Sequence, residues 1–151
     1  MTDEDYLRLA LEQASLAEAL GEVPIGAILV ADGAIIASAH NRTVCDHDPT
    51  AHAEILALRA GGLVLGNHRM GGASLYVTLE PCIMCTGALI QARIDRLIFG
   101  AYDNRIGACG SAFDLARHRR LNHHIHEIKG GVLEDECREQ LQRFFQQKRR
   151  G

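Results

Sequence analysis

This chain has few aromatic side chains and no segment that could cross a membrane. It contains no tryptophan, three tyrosines and four phenylalanines among 151 residues. No apolar run approaches the roughly 18 residues that a membrane span requires, and the first residues are acidic and amphipathic rather than basic and then apolar, as in a signal peptide. From these absences we expect a soluble, cytoplasmic protein.

An excess of positive charge is also missing. The formal net charge of −3 argues against a protein that holds nucleic acid by bulk electrostatics, because such binding needs many Lys and Arg side chains to neutralise phosphates. The charge is unevenly distributed, with −5 on residues 1–22, −2 on residues 23–114 and +4 on residues 115–151. Any local basic surface is therefore expected near the C-terminus.

The chain is expected to form one domain over residues 1–151, because it contains no internal repeat, low-complexity tract or linker. Periodicity and turn residues predict helices over residues 3–20, 51–62, 82–92 and 133–148, and strands over 25–30, 34–39, 75–79, 97–100 and 125–129. Asp32 and Gly33 are typical of a β-hairpin turn, and Asp48 or Thr50 is expected to cap the second helix. The alternation of strands and helices predicts an α/β fold with parallel strands covered by helices.

Cysteine and histidine supply the first chemical signal. Cys82 and Cys85 form a C-x-x-C pair, which in a reducing compartment indicates metal or redox chemistry. These two cysteines and His52 are each predicted at a helix N-terminus, where the positive end of the helix dipole favours thiolate over thiol. One imidazole and two thiolates suit Zn²⁺, and three protein ligands leave a position open for water, as in catalytic sites.

Glu54 follows His52 by two residues and is the candidate proton carrier. Zn²⁺ lowers the pKa of a bound water, but two thiolates cancel the charge of the metal. A separate group is therefore needed to move protons. Residues two apart diverge by roughly 200° around a helix. His52 and Glu54 can therefore serve one site only if that site lies beyond the end of the helix, so we expect two helix N-termini to converge on one metal.

Simpler interpretations exist for each of these residues. Alone, Cys82 and Cys85 are as typical of a structural zinc half-site or a redox pair as of a catalytic centre, and Glu54 alone could merely stabilise a helix dipole. The ordered set H-x-E followed by P-C-x-x-C favours catalysis.

The remaining cysteines and a histidine cluster have no derived role. Cys45, Cys109 and Cys137 are interpreted as small packing residues or free thiols, with a fourth metal ligand as the alternative. His123, His124 and His126 are interpreted as part of a solvated or half-buried strand, with a second metal cluster as the alternative.

The H-x-E and P-C-x-x-C motifs resemble those of the zinc-dependent cytidine/deoxycytidylate deaminase superfamily. The resemblance extends along nearly the whole chain. Within that superfamily, the sequence is similar to the bacterial tRNA-specific adenosine deaminases. It includes Glu22-Val23-Pro24-Ile25-Gly26-Ala27, Asn41-Arg42, His47-Asp48-Pro49-Thr50-Ala51-His52-Ala53-Glu54, Thr78-Leu79-Glu80-Pro81-Cys82, Gly110-Ser111, Asp135-Glu136-Cys137 and Phe144-Phe145.

The resemblance implies a fold, a cofactor and a reaction. The fold is three-layer α/β/α, with a central five-stranded mixed sheet and helices on both faces. His52, Cys82 and Cys85 match the ligands of one Zn²⁺ per subunit, and Glu54 matches the general acid/base. The implied reaction is hydrolytic deamination of adenosine to inosine at the wobble position of a tRNA anticodon, with release of ammonia.

The resemblance also implies how RNA is bound. Asn41 matches the asparagine that contacts the flipped base, and Asp103 lies in the loop that contacts neighbouring nucleotides. The tRNA anticodon loop is the implied partner, and a homodimer is the implied assembly.

Two other functions remain open from the residues themselves. The first is a deaminase of a free base, nucleoside or nucleotide of the guanine or cytidine type, which needs no extended basic surface. The second is a non-catalytic, zinc-dependent RNA-binding module, which Glu54 opposes because such a module has no use for an acid there. Basic residues around Phe144 and Phe145 favour the tRNA enzyme, although an amphipathic helix that packs its phenylalanines on the core explains them as well.

Overall fold

The structure is a computed structural model, and it describes residues 1–150. Four helices, a short 3-10 turn at Leu115–Arg117 and five strands make up the fold. None of the helices within the described residues is long and apolar enough to span a membrane. The helices are α1 (Asp3–Ala19), α2 (Ala53–Leu65), α3 (Ile83–Gln91) and α4 (Glu134–Arg150), and the strands are β1 (Gly26–Ala31), β2 (Ala34–His40), β3 (Ser74–Leu79), β4 (Arg96–Ala101) and β5 (Glu127–Lys129).

The strands form one mixed sheet in the order β2-β1-β3-β4-β5. β1 is antiparallel to both β2 and β3, whereas β3, β4 and β5 are parallel. The hairpin turn between β1 and β2 places Asp32 at φ 50° and Gly33 at φ 74°, the left-handed conformation that a tight two-residue turn requires. The predicted hairpin and the predicted parallel strands are both confirmed.

Helices cover both faces of the sheet, so the predicted three-layer α/β/α fold is confirmed. Leu75 and Val77 of β3 pack in a core that includes residues of α2 and α3, while Tyr76 between them packs in a second core with residues of α1 and α4. This alternation follows from the two-residue period of a strand.

The helices on the second face approach the sheet closely because the strands carry glycine at the contacts. A Cβ at Gly26 of β1 would collide with the backbone of Ala10 and Ala14 in α1, and a Cβ at Gly100 of β4 would collide with Cys137 of α4. Cys137 therefore has a packing role, as its interpretation from sequence allowed.

Two predicted element boundaries are wrong. α2 continues past Gly61 to Leu65 and is capped by Gly66, which has φ 65°. Glycine occurs inside this helix because Gly61 lies against Leu29 of β1, where a Cβ would clash with the leucine side chain. β5 is also shorter than predicted, so His123, His124 and His126 lie in the irregular segment before it rather than in a strand.

Candidate active site

Three potential metal ligands converge from two helix N-termini, as the sequence predicted. His52 is the N-cap residue of α2, Cys82 is the N-cap residue of α3, and Cys85 lies in the first turn of α3. Neither side chain makes an N-terminal capping hydrogen bond, and the His52 imidazole lies beside the Cys82 sulfur. Among residues 1–150 these three form the only group of three or more His, Cys, Asp or Glu side chains whose ligand atoms all lie within 4.8 Å of one another.

The spacing of the donor atoms fits a zinc ion. His52 Nδ1 lies 3.7 Å from Cys82 Sγ and 3.4 Å from Cys85 Sγ. A tetrahedral Zn²⁺ with Zn–S of about 2.3 Å and Zn–N of about 2.0–2.1 Å would separate sulfur from nitrogen by about 3.6 Å. The donors therefore already lie at ligand-to-ligand distances.

The electrostatics of the two thiols also favour a cation. A hydrogen bond from the Cys85 thiol, supported by His52, lowers the pKa of Cys82 to about 4. The same hydrogen bond to Cys82, together with burial, raises the pKa of Cys85. A second thiolate is thus costly unless a positive charge lies between the two sulfurs, as a divalent metal would.

Glu54 is almost fully buried beside this cluster, with 4% of its surface exposed. Burial raises the pKa of its carboxyl group to about 7, with a further contribution from the Cys82 thiolate and an opposing one from its own backbone N–H. A carboxyl group with such a pKa can both accept and donate a proton near neutral pH.

Asn41 connects the α2 N-terminus to an adjoining cavity. Its side-chain Oδ1 accepts a hydrogen bond of 2.9 Å from the backbone N–H of Ala53, the residue between His52 and Glu54. The prediction that Asp48 or Thr50 caps α2 is therefore wrong: the backbone N–H and hydroxyl of Thr50 both donate to Asp48 Oδ1 in a local turn. With Oδ1 engaged, the Asn41 NH₂ group is the part of the amide left to donate to a ligand.

The adjoining cavity has a volume of about 600 Å³ and includes both predicted substrate-binding residues. The metal-ligand candidates and Glu54 are not part of its lining, so Asn41 is the link between the two. Its walls are Val23, Ile25, Asn41, Leu79, Tyr102, Asp103, Asn104, Arg105, Ile106, Leu141, Gln142 and Phe145.

Asp103 shapes the loop that forms one side of this cavity. Its Oδ1 accepts hydrogen bonds from the backbone N–H groups of Arg105 and Ile106, at 3.0 and 3.2 Å. One carboxylate oxygen is thus committed to holding the turn.

Glu80 holds the same loop, although the sequence alone indicates no role for it beyond the family likeness. Its buried carboxylate accepts hydrogen bonds from the backbone N–H groups of Asp103, Cys109 and Ser111, at 3.0, 3.0 and 3.2 Å, and from the Ser111 hydroxyl. Only glycine fits at position 107, because a Cβ there would lie 2.5 Å from the carboxyl carbon of Glu80. Glu80 is two residues before Cys82, so one short segment positions both the cavity wall and the metal cluster.

Glu22 plays a similar part for a second loop. Its carboxylate accepts hydrogen bonds from the backbone N–H groups of Val44 and Cys45 and from the Thr43 hydroxyl, at 3.2, 2.7 and 3.3 Å. No residue from 43 to 45 lines the 600 Å³ cavity. The only signal in the sequence that could have found Glu22 and Glu80 is an acid placed within an otherwise apolar segment.

The C-terminal helix divides its two adjacent phenylalanines between core and cavity. Phe144 is buried, while Phe145 is 46% exposed and lines the cavity. Phe145 also borders a neighbouring groove of about 660 Å³, whose lining includes Arg105, Lys148 and Arg149. The packing of Phe144 on the core is therefore confirmed, and a contact of this helix with RNA stays a prediction.

The other cysteines lie outside the metal cluster of the described chain. Cys109 is buried, and its sulfur is 3.3 Å from the Thr86 hydroxyl of α3. Cys45 is exposed in the loop that Glu22 holds.

Comparisons with known proteins agree with this site. Residues 1–101 match the family described as the cytidine and deoxycytidylate deaminase zinc-binding region. A tRNA-specific adenosine deaminase of Haemophilus influenzae is 50% identical over 148 residues, which cover 97% of this chain and 85% of that protein. A solved structure from a study of A-to-I editing by tRNA:A34 deaminases superposes with a TM-score of 0.86 at 45% identity, covering 90% of this chain and 98% of the other. Guanine deaminase from Bacillus subtilis superposes with a TM-score of 0.65 at 39% identity, covering 68% and 66%.

Proposed function

Because the chain belongs to the cytidine and deoxycytidylate deaminase family, we propose that it deaminates adenosine to inosine at the wobble position of a tRNA anticodon. The observation that carries this proposal is the set of three metal donors at two helix N-termini, with Glu54 and Asn41 beside them. The high identity to tRNA-specific adenosine deaminases over almost the full chain supports RNA as the substrate.

His52, Cys82 and Cys85 would hold one Zn²⁺ per chain. When bound, the metal supplies Lewis-acid activation of the attacking water. The raised pKa of Glu54 suits it to take a proton from that water and to return protons to the base and to the departing ammonia. In the overall reaction, adenosine and water give inosine and ammonia.

Asn41 and the cavity would orient the nucleotide. The Asn41 NH₂ group donates toward an acceptor on the base edge, while its Oδ1 stays bound to Ala53 N–H. Asp103 and its loop contact neighbouring nucleotides from the other side of the cavity. Phe145 offers an exposed ring on which a base can stack, with Arg105, Lys148 and Arg149 nearby for phosphates.

We also propose that the protein is a homodimer that acts in the cytoplasm, where its tRNA substrate is found. A second copy would cover the apolar groove of about 880 Å³ between α2 and α3, which is lined in part by Leu58, Leu63, Met70 and Ala88. Leu63 is 86% exposed in the isolated chain, and Val64 beside it is 63% exposed. Monomeric proteins rarely expose a large contiguous apolar patch, which supports a covering partner here.

One assay tests the reaction. The purified protein is incubated with an anticodon stem-loop that carries adenosine at the wobble position and, separately, with free adenosine and guanine. We expect inosine in the stem-loop, strong salt dependence and one zinc per chain by metal analysis. Turnover of free guanine without any change in the stem-loop would instead favour the second candidate, a free-purine deaminase, which the likeness to guanine deaminase supports.

A further inference from the structure

A strongly basic segment lies away from the cavity and takes no part in the proposed chemistry. Residues 115–126 contain three arginines and four histidines and no acidic residue. The whole chain has a net charge of −3, so the residues outside this segment have a net charge of −6. Arg117 lies 3.3 Å from Asp114, just outside the segment, so the local positive charge comes mainly from Arg119 and Arg120.

This basic segment begins beside the loop that Glu80 holds, at residues 108 and 109, which do not line the cavity. The Arg117 side chain donates to the carbonyl of Cys109 at 3.1 Å, and the backbone N–H of Cys109 in turn donates to Glu80. The backbone N–H of Ala116 donates to the carbonyl of Ala108 at 3.2 Å. The segment is thus joined directly to the loop that Glu80 holds.

The far end of the basic segment is fastened to the C-terminal end of α3. His123 Nε2 donates to the carbonyl of Ile94 at 2.9 Å, and Arg93 donates to the side chain of Asn122 at 3.3 Å. The nine residues of α3 span about 14 Å. The basic segment therefore extends about 14 Å along α3, from the N-terminus that carries Cys82 and Cys85 to the C-terminal end.

The middle of the basic segment presents its charges to solvent from a fixed backbone. His124 Nε2 donates to the carbonyl of His118 at 3.0 Å, and the backbone N–H of Arg120 donates to His118 Nδ1 at 3.1 Å. Arg119 and Arg120 are exposed, and neither has an acidic partner within 4.0 Å among the residues that the structure describes. Two guanidinium groups held in this way are available for an external anion.

We propose that the basic segment binds the sugar-phosphate backbone of the tRNA anticodon stem while the wobble base occupies the active site. This inference rests on the proposed function. A guanidinium group matches the geometry of a phosphate, and a row of cations matches a repeating polyanion better than an isolated acidic side chain. The basic segment extends about 14 Å along α3, and an arginine side chain adds to that reach. Its phosphate contacts are therefore expected on the stem, beyond the nucleotides that flank the deaminated one.

The test compares two pairs of neutralised arginines. Arg119→Gln with Arg120→Gln removes two charges from the basic segment. Arg8→Gln with Arg138→Gln removes two charges from α1 and α4, on the opposite face of the sheet, and serves as the matched control. All four side chains are exposed, so both variants are expected to fold and to keep their metal.

For the variant of the basic segment we expect the Kd for an intact anticodon stem-loop to rise about tenfold at 0.15 M salt, and the slope of log K against log salt to become shallower by one to two. The kcat at saturating RNA should stay within twofold of the unsubstituted protein. With a short RNA restricted to the anticodon loop, the variant and the unsubstituted protein should bind equally. The control variant should match the unsubstituted protein throughout.

Several results would overturn the proposal. They are an unchanged Kd for the stem-loop, an equal loss with the loop-only RNA, or a changed oligomeric state that assigns the segment to a second copy of the chain. Binding can be measured whether or not inosine forms, so a failure of the proposed reaction would be recognised separately.

Discussion

Two buried glutamates near the His52, Cys82 and Cys85 side chains have nearly the same burial, but their surroundings differ. Glu54 at the start of α2 is 4% exposed and Glu80 after β3 is 2% exposed. Glu80 accepts hydrogen bonds from three backbone N–H groups and a hydroxyl group. The carboxyl group of Glu54 has one backbone donor, its own N–H, and burial raises its pKa to about 7.

The contrast shows that hydrogen-bond donors decide what a buried carboxylate can do. The donors that converge on Glu80 fix its side chain as an anchor for the loop from Asp103 to Ser111. Glu54 has few such donors, so its proton is exchangeable and it remains available for chemistry. Substituting each glutamate, and the residues that link them, tests this distinction.

The largest effect is expected for Glu54→Gln. Glutamine keeps the shape of the side chain but cannot carry the proton, so kcat for inosine formation should fall by about 10²–10⁴-fold. Metal content and melting temperature should stay close to those of the unsubstituted protein, which metal analysis and thermal unfolding measure. Undiminished turnover in this variant would refute the assignment of Glu54 as proton carrier.

Asn41 is expected to show a smaller effect that separates its two roles. Asn41→Asp keeps an oxygen that can accept from Ala53 N–H but removes the NH₂ donor, so kcat/KM should fall about tenfold while stability is largely kept. Asn41→Ala removes both groups and should also cost about 1 kcal/mol of unfolding free energy through the lost cap of α2.

Steady-state kinetics and denaturant unfolding of both Asn41 variants check this expectation. If Asn41→Asp were as active as the unsubstituted protein, the NH₂ group would have no part in substrate binding. Equal stability of the two variants would mean that the bond to Ala53 contributes little.

Glu80→Gln should act through the loop rather than through the chemistry. The new NH₂ group would face backbone donors, so unfolding free energy should fall by about 2–4 kcal/mol. Because the loop walls the cavity, KM for the stem-loop should rise severalfold while kcat stays within about threefold, unlike the result for Glu54→Gln.

Glu22→Gln is the matched control for Glu80→Gln. It removes an equivalent anchor from a loop whose residues 43–45 do not line the cavity, and should lower stability with little change in KM. A fall in kcat without a rise in KM for Glu80→Gln would contradict a positioning role.

The sequence predicted the site best where its residues lie close together in the chain. His52 and Glu54 are two residues apart, and Cys82 and Cys85 share one helical turn, so local pattern and helix geometry were sufficient to group them. The Glu80 anchor could not be predicted in this way, because its bonds connect residues 23 to 31 positions apart. The cap of α2 was missed for the same reason, since Asn41 is 12 positions from Ala53.

The C-terminal boundary of α2 was incorrectly predicted at its two glycines, and a substitution there gives the smallest expected effect. This effect concerns stability alone. Alanine is a better helix former than glycine by about 1 kcal/mol, so helix propensity predicts that Gly61→Ala stabilises the protein. The structure predicts the opposite, because a Cβ at Gly61 would clash with Leu29 of β1. Overpacking of this kind costs about 1–3 kcal/mol, so after the propensity gain of about 1 kcal/mol we expect a net loss of up to about 2 kcal/mol.

Gly62→Ala provides the matched control at the next position of the same helix. A Cβ there would meet Asn67 O at 3.3 Å and Met70 Cε at 3.5 Å, which small shifts relieve, so part of the propensity gain should remain and stability should rise by up to about 1 kcal/mol. Denaturant unfolding of both variants measures the difference. If Gly61→Ala were the more stable of the two variants, close packing against Leu29 would not be the reason why glycine occurs inside α2. Helix propensity would then predict the effect of the substitution better than the contact with the sheet does.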